Sequence, residues 1–129
     1  MSHFSTVKTE LRDRDALVGA LGDIGHTPAP AGPIRGYRGQ TVTADLTISQ
    51  PDGSDIGFRW NSETGSYELV ADLDLWNLST PVERFLAQLT QRYALRTILA
   101  ASAEEGFQVS EQTEQLDGSI ELVVSRWDA

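Results

Sequence analysis

Two groups of arginines carry the most specific chemistry in this 129-residue chain. The first is Arg35-Gly36-Tyr37-Arg38-Gly39, where two guanidiniums flank a phenol ring. A guanidinium offers a planar fork of N–H donors that fits a carboxylate or phosphate, and it stacks on aromatic faces. The second is Arg84, Gln88, Arg92 and Arg96, each four residues after the last. Positions i and i+4 share a helix face, so these residues make one polar stripe. Nine of the ten basic residues are arginine, Lys8 being the exception, so arginine contacts stand out against an acidic background. The candidate binding residues are therefore Arg35, Tyr37, Arg38, Arg84, Arg92 and Arg96. The competing role for each is an internal pair with one of the chain's own acids.

A second constellation is acidic. The segment Ser54 to Trp76 reads as a β-hairpin, with its turn around Glu63, Thr64 and Gly65. Its second strand puts Tyr67, Leu69, Ala71, Leu73 and Leu75 on one side. Glu68, Val70, Asp72, Asp74 and Trp76 fall on the other, a period of two that marks a half-buried strand. Asp72 and Asp74, about 6.5–7 Å apart along such a strand, could chelate a divalent ion or divide acid and base roles. Alternating acids also keep a solvent-facing strand soluble and unpaired, and the strand is read that way.

Other chemistry is scarce. The chain has no cysteine, which removes disulfides, thiol catalysis and thiolate metal sites. His3 and His26 are the two imidazoles, with no metal-binding spacing between them; His26 sits where it would favour the negative end of a helix. No G-x-S-x-G elbow occurs, and Gly32, Gly36 and Gly39 fit no phosphate-loop pattern. No catalytic residue, metal ligand or cofactor is assigned. Nineteen acids against ten bases give a net charge of −9, which repels phosphate backbones and disfavours nucleic acid as a partner. No apolar run approaches the roughly 18 residues of a membrane span, and the first residues lack a signal-peptide pattern.

The elements that must position these groups follow from periodicity and caps. His3 to Leu11 reads as a strand. Asp13 caps a helix from Arg14 whose stripe is Ala16, Leu17, Ala20, Leu21 and Ile24, and Gly25 ends it. His26 to Gln40 holds three prolines and three glycines and reads as a long connection, excluded from helix and central strand. Thr41 to Ser49 alternates, with Val42, Ala44, Leu46 and Ile48 facing one way, and Pro51-Asp52-Gly53 turns the chain. After the hairpin, Thr80-Pro81-Val82-Glu83 reads as a capped helix start. That helix runs toward Glu105 with Val82, Phe85, Leu86, Leu89, Tyr93 and Thr97 inward, and Gly106 ends it. Strands Phe107 to Gln115 and Ser119 to Trp127 flank an Asp117-Gly118 turn, the last burying Ile120, Leu122 and Val124. Trp60, Trp76 and Trp127 fall near strand ends, where they would close the margins of the core.

The expected fold is a single α+β domain over residues 1–129, with a Pro/Gly-rich loop at 26–40. Its element order is β-α-β-β-β-α-β-β, in one largely antiparallel sheet with two helices on one face.

Several long segments resemble one family: MSHFSTVKTEL, DIGFRWN, YELVADLDLW, VERFLAQLTQRYA, GFQV and DGSIELVVSRW. It is the hypothetical chloroplast reading frame thirty-five family of cyanobacteria and plastid genomes, and the resemblance covers nearly the whole chain. It implies a soluble protein of cyanobacterial cytoplasm or plastid stroma and supplies no established reaction. The residues favour a non-enzymatic binding, assembly or regulatory protein with a protein partner, one carrying acidic groups. The alternatives are a metal-assisted or acid–base enzyme using Asp72 and Asp74, and a sensor holding a small anion between Tyr37 and the arginines.

Overall fold

The computed structural model describes residues 4–51, 54–115 and 119–126, with side chains except at 107–111 and 124–126. His3, the Asp52-Gly53 and Asp117-Gly118 turns, Trp127 and the side chain of Val124 lie outside the described residues. Strand β1 spans Phe4–Lys8 and helix α1 Arg14–Asp23. Strands β2 Gly32–Arg35, β3 Thr41–Ala44, β4 Leu46–Ser49, β5 Asp55–Asn61 and β6 Ser66–Asp72 follow. Helix α2, Val82–Glu104, leads to β7 Phe107–Glu114 and β8 Ile120–Arg126. The chain is α+β, with every strand pair antiparallel.

Four strands form the main sheet in the order β1-β6-β5-β4. Both helices pack on one of its faces. Leu17, Ala20 and Leu21 of α1 and Phe85 and Leu89 of α2 share a core with Leu46, Ile48, Ile56, Phe58, Leu69 and Ala71. Helix α1 is closed at both ends by local chemistry. The Ala16 N–H donates to Asp13 Oδ1 at 2.9 Å, which supplies an acceptor to a donor that has none within the helix. At the other end Gly25 adopts φ +93°, and the His26 and Gly25 N–H groups donate to the Leu21 and Gly22 carbonyls, a Schellman motif.

The other sheet face is covered too. The Pro/Gly-rich segment contains β2, which pairs with β3, and the hairpin lies across the main sheet. Ile34, Ala44 and Val70 form a second, smaller core with Phe4 and Val42 against it. Gly57 makes this approach possible: a Cβ there would stand 2.6 Å from the Ala44 Cβ and 3.1 Å from Ile34. Two expectations change as a result. Thr41 to Ser49 is two strands broken at Asp45, so Val42 and Ala44 enter the hairpin core while Leu46 and Ile48 enter the helix core. Residues Ser66–Asp72 are buried throughout, so β6 is not half-exposed. A strand sandwiched between helices and a hairpin has no solvent side.

A single sheet is also not what forms. β2–β3 and β7–β8 are separate two-stranded sheets, the latter packed against α2. Helix α2 begins one residue later than its cap signal suggested. Pro81 is the cap, without a side-chain cap bond, and its carbonyl accepts the Phe85 N–H at 2.9 Å. Thr80 instead accepts the Trp76 indole N–H on its carbonyl at 2.8 Å, and Trp76 stands edge-on to Phe85. Gly106, at φ +83°, follows the end of the helix as expected.

Candidate functional site

The arginine candidates divide into pinned and open groups. Arg35 ends β2 and reaches from the hairpin to the first residue of β5. Its Nε donates to Asp55 Oδ2 at 3.0 Å and its Nη2 to Oδ1 at 3.3 Å. The Arg35 backbone N–H adds a third bond to Oδ2 at 2.6 Å. Burial raises the pKa of Asp55, but the Arg35 bonds, its charge and the Ser49 hydroxyl outweigh this and leave it below the usual carboxylate value. Arg96 makes the matching pair between helices, Nε to Asp23 Oδ2 at 2.9 Å and Nη2 to Oδ1 at 2.7 Å. That bond lowers the Asp23 pKa against a smaller opposing effect of burial, and the charges of Arg96 and Arg92 lower it further.

Tyr37 and Arg38 sit in a one-turn 3-10 segment that joins β2 to β3. The Arg38 guanidinium lies 5.2 Å from the Tyr37 ring centroid, a cation–π stack on the protein surface. Arg84, Gln88, Arg92 and Arg96 share the α2 stripe, with Arg84 and Gln88 exposed and Arg92 half-buried. Among the described residues no ion pair holds Arg38, Arg84 or Arg92.

Arg92 differs from the other two in its surroundings. Two adjoining hollows, of about 330 and 240 Å³, run beside α2 where it faces β7 and the end of α1. Both are lined by Asp23 and Arg92; Leu95, Arg96, Leu99 and Gln112 complete one, and Ile24, Gln88, Gln91 and Glu114 the other. With Asp23 and Arg96 paired to each other, Arg92 is left in this groove without an ion-pair partner among the described residues. Glu114 on the β7 wall limits what fits. A uniformly acidic surface is repelled there, while one carboxylate set against Arg92 is not.

The acidic constellation is rearranged. Asp72 ends β6 and Asp74 lies in a separate 3-10 turn, Leu73–Leu75, so the two do not share a strand face. Asp72 Oδ1 accepts the Asp74 N–H at 3.1 Å, and Oδ2 is buried without a partner among the described residues. Glu68 is buried, accepting from Asn61 Nδ2 at 2.6 Å with Arg59 Nη2 at 3.6 Å. No group of three or more possible metal ligands converges among the described residues. His26 packs edge-on against Phe85 with centroids 5.6 Å apart, a structural contact its position past a helix did not announce. Of the tryptophans, Trp60 is 43% exposed and stands edge-on to Tyr67.

Asp23 and Asp55 are the residues that sequence reasoning missed. They lie 73 and 20 positions from the arginines they bind, and no local spacing announces either pair.

The geometry defines an α+β protein with an arginine-lined groove beside its long helix. No helix among the described residues is long and apolar enough to cross a membrane. Residues 20–123 match the family described as "Protein of unknown function (DUF1257)", and the chain belongs to that family. It is similar to proteins named "Uncharacterized protein ycf35" from three organisms. The Guillardia theta protein is 41% identical over 128 residues, covering 98% of each chain. The Pyropia yezoensis protein is 38% identical with 99% of each covered, and the Cyanophora paradoxa protein 40% identical with 98% of each covered. The family resemblance read from the sequence holds. No solved structure matches the chain.

Proposed function

We propose that this chain is a non-enzymatic protein-binding factor, of assembly or regulatory type, acting in cyanobacterial cytoplasm or plastid stroma. It receives a partner segment in the groove beside α2. One observation carries this reading: Arg92 stands in a formed groove without an ion pair among the described residues, while its neighbour Arg96 is held by Asp23. The partner presents a carboxylate to Arg92 and amide or hydroxyl groups to Gln88, Gln91 and Gln112. Desolvated arginines at the centre of a contact carry a disproportionate share of binding energy. Arg84 lies on the same stripe and Arg38 on the opposite hairpin, so they contribute to association rate rather than to the central contact.

Capture from lysate with tagged wild-type, Arg92→Glu and Arg38→Glu proteins tests the reading. A stoichiometric partner should be retained by the wild type and Arg38→Glu and lost by Arg92→Glu, with unchanged circular dichroism. Equal recovery by wild-type and Arg92→Glu proteins removes the groove from consideration. Retention lost only in Arg38→Glu would move the site to the Tyr37–Arg38 stack.

A further inference from the structure

The β2–β3 hairpin does not cover the whole of its side of the main sheet. Gly57 and Val70 pair beneath it, and two residues nearer the β5–β6 turn Arg59 pairs with Glu68. That stretch faces a hollow of about 510 Å³. Its lining includes Arg59, Glu68, Thr6 of β1, Asn61 at the end of β5, and Ser62 and Glu63 after it. Small-molecule sites commonly have volumes of about 300–1,000 Å³. We propose that this hollow binds a free α-amino acid, its ammonium on Glu68 and its carboxylate on Arg59.

The two charged groups are adjacent but only loosely paired. Asn61 Oδ1 accepts the Glu63 N–H at 2.9 Å, which turns its Nδ2 toward Glu68, and Nδ2 donates to Oε1 at 2.6 Å. Glu68 Oε2 lies 3.6 Å from Arg59 Nη2, too far for a hydrogen bond. The Glu68 side chain is 10% exposed and that of Arg59 is 42% exposed. A carboxylate so far out of water gains from a further donor, and a ligand ammonium supplies a charge-assisted one. The Arg59 fork, half-open to solvent, accommodates a carboxylate in turn. An α-amino acid carries its two charged groups on one carbon, a short separation that suits two neighbouring side chains.

Charge complementarity selects this ligand. An anion alone would meet Glu68 and Glu63, and a cation alone would meet Arg59. A zwitterion sets each sign against its opposite, and the Thr6 and Ser62 hydroxyls remain for its polar groups. Glu68 and Arg59 alternate with Leu69 and Phe58, which pack toward the helices, so the hollow lies on the sheet face away from α2. It does not use Arg92 and stands or falls separately from the docking groove.

Isothermal titration calorimetry of the full chain with glycine, L-serine and L-glutamine reads the outcome. At least one should bind saturably with one site per chain, and binding of none overturns the proposal. The N-acetyl and α-amide derivatives of the amino acid that binds lack its ammonium and its carboxylate charge respectively. Each should bind about tenfold more weakly or worse, the loss expected for one charge-assisted hydrogen bond. Arg59→Gln should weaken binding of the parent amino acid similarly, with unchanged circular dichroism because Arg59 is half-exposed. Arg92→Glu should bind it as the wild type does. Undiminished binding of either derivative overturns the proposal, because only one charge would then be read. So does undiminished binding by Arg59→Gln, or a loss in Arg92→Glu, because the ligand would then sit elsewhere.

Discussion

Among the described residues the chain holds two bidentate arginine–aspartate pairs of nearly the same geometry in different surroundings. Arg35–Asp55 fastens the β2–β3 hairpin to the main sheet, and Arg96–Asp23 fastens α2 to the end of α1. The aspartates differ more than the distances. The Asp55 side chain is 6% exposed and also accepts the Arg35 backbone N–H, whereas Asp23 is 28% exposed and has only the guanidinium bonds among those described. One carboxylate is therefore part of the interior, and the other rests in partly solvated surface. An ion pair in water is worth little, because solvent competes for both ends and ordering two side chains costs entropy. A buried carboxylate that loses its donors, or donors that lose their carboxylate, costs more.

The contrast can be broken most directly at Asp55. Asp55→Ala should destabilise the chain by about 2–3 kcal/mol, since it leaves a backbone N–H and the Ser49 hydroxyl without their acceptor. Urea denaturation measures this, and a loss no larger than that of Asp23→Ala would show the two pairs to be equivalent. Arg35→Gln should fall between wild type and Asp55→Ala, because the backbone bond to Asp55 survives the change.

Next in size is the close approach beneath the hairpin. Gly57→Ala should cost about 2 kcal/mol by overpacking, since its new Cβ meets Ala44 and Ile34 and neither neighbour is a flexible chain end. A neutral result would mean that the hairpin shifts freely and that Asp55 is not held as described.

Acid should separate the pairs by a smaller amount. Both aspartates lie below their ordinary value of 3.8 in the folded chain. A lowered carboxylate pKa contributes stability above its unfolded value, and that contribution is lost as pH falls through the folded value. Stability should therefore fall on acidification below about pH 4. Asp55→Asn should flatten this fall more than Asp23→Asn, as urea midpoints between about pH 6 and about pH 2 will show. Equal flattening would place the two carboxylates in equivalent environments.

The smallest effect belongs to the helix side. At Gly19 a Cβ would come 2.7 Å from the Arg96 guanidinium, the far end of a long side chain that can move aside. Replacing a mid-helix glycine by alanine gains about 1 kcal/mol in helix propensity, which offsets part or all of the disturbed surface pair. Gly19→Ala should thus leave the denaturation midpoint within about 0.5 kcal/mol of wild type. A loss as large as that of Gly57→Ala would reveal a pair as rigid as the one at Asp55.

Local features were legible because their causes are local. Asp13 and Gly25 bound α1 through bonds that span at most five residues, and the chain itself brings those groups together. The hairpin of β5 and β6 was legible as well. The turn between them sets Trp60 against Tyr67 and Arg59 against Glu68, so the pairing of Arg59 with Glu68 follows from the hairpin alone. Thr80 shows where such reading fails. Its cap signal is genuine in type, yet the Trp76 indole occupies its carbonyl and the helix opens at Pro81 without a side-chain cap.

What the sequence by itself determined is the α+β class, the two helices on one face, the family and the residues able to act as contacts. Tertiary structure decided which of those contacts are open. The alternation of Glu68, Val70 and Asp72 specifies two faces for β6 but not what covers the second, and Gly57 hints at close packing without naming the hairpin that supplies it. Likewise, helical spacing puts Arg92 and Arg96 on one stripe, while only the packing of α1 beside α2 brings Asp23 to Arg96. Pairing between distant residues depends on how separate elements pack, which local propensity does not encode. The stripe was therefore visible in the sequence, and the division of its arginines into paired and unpaired among the described residues was not.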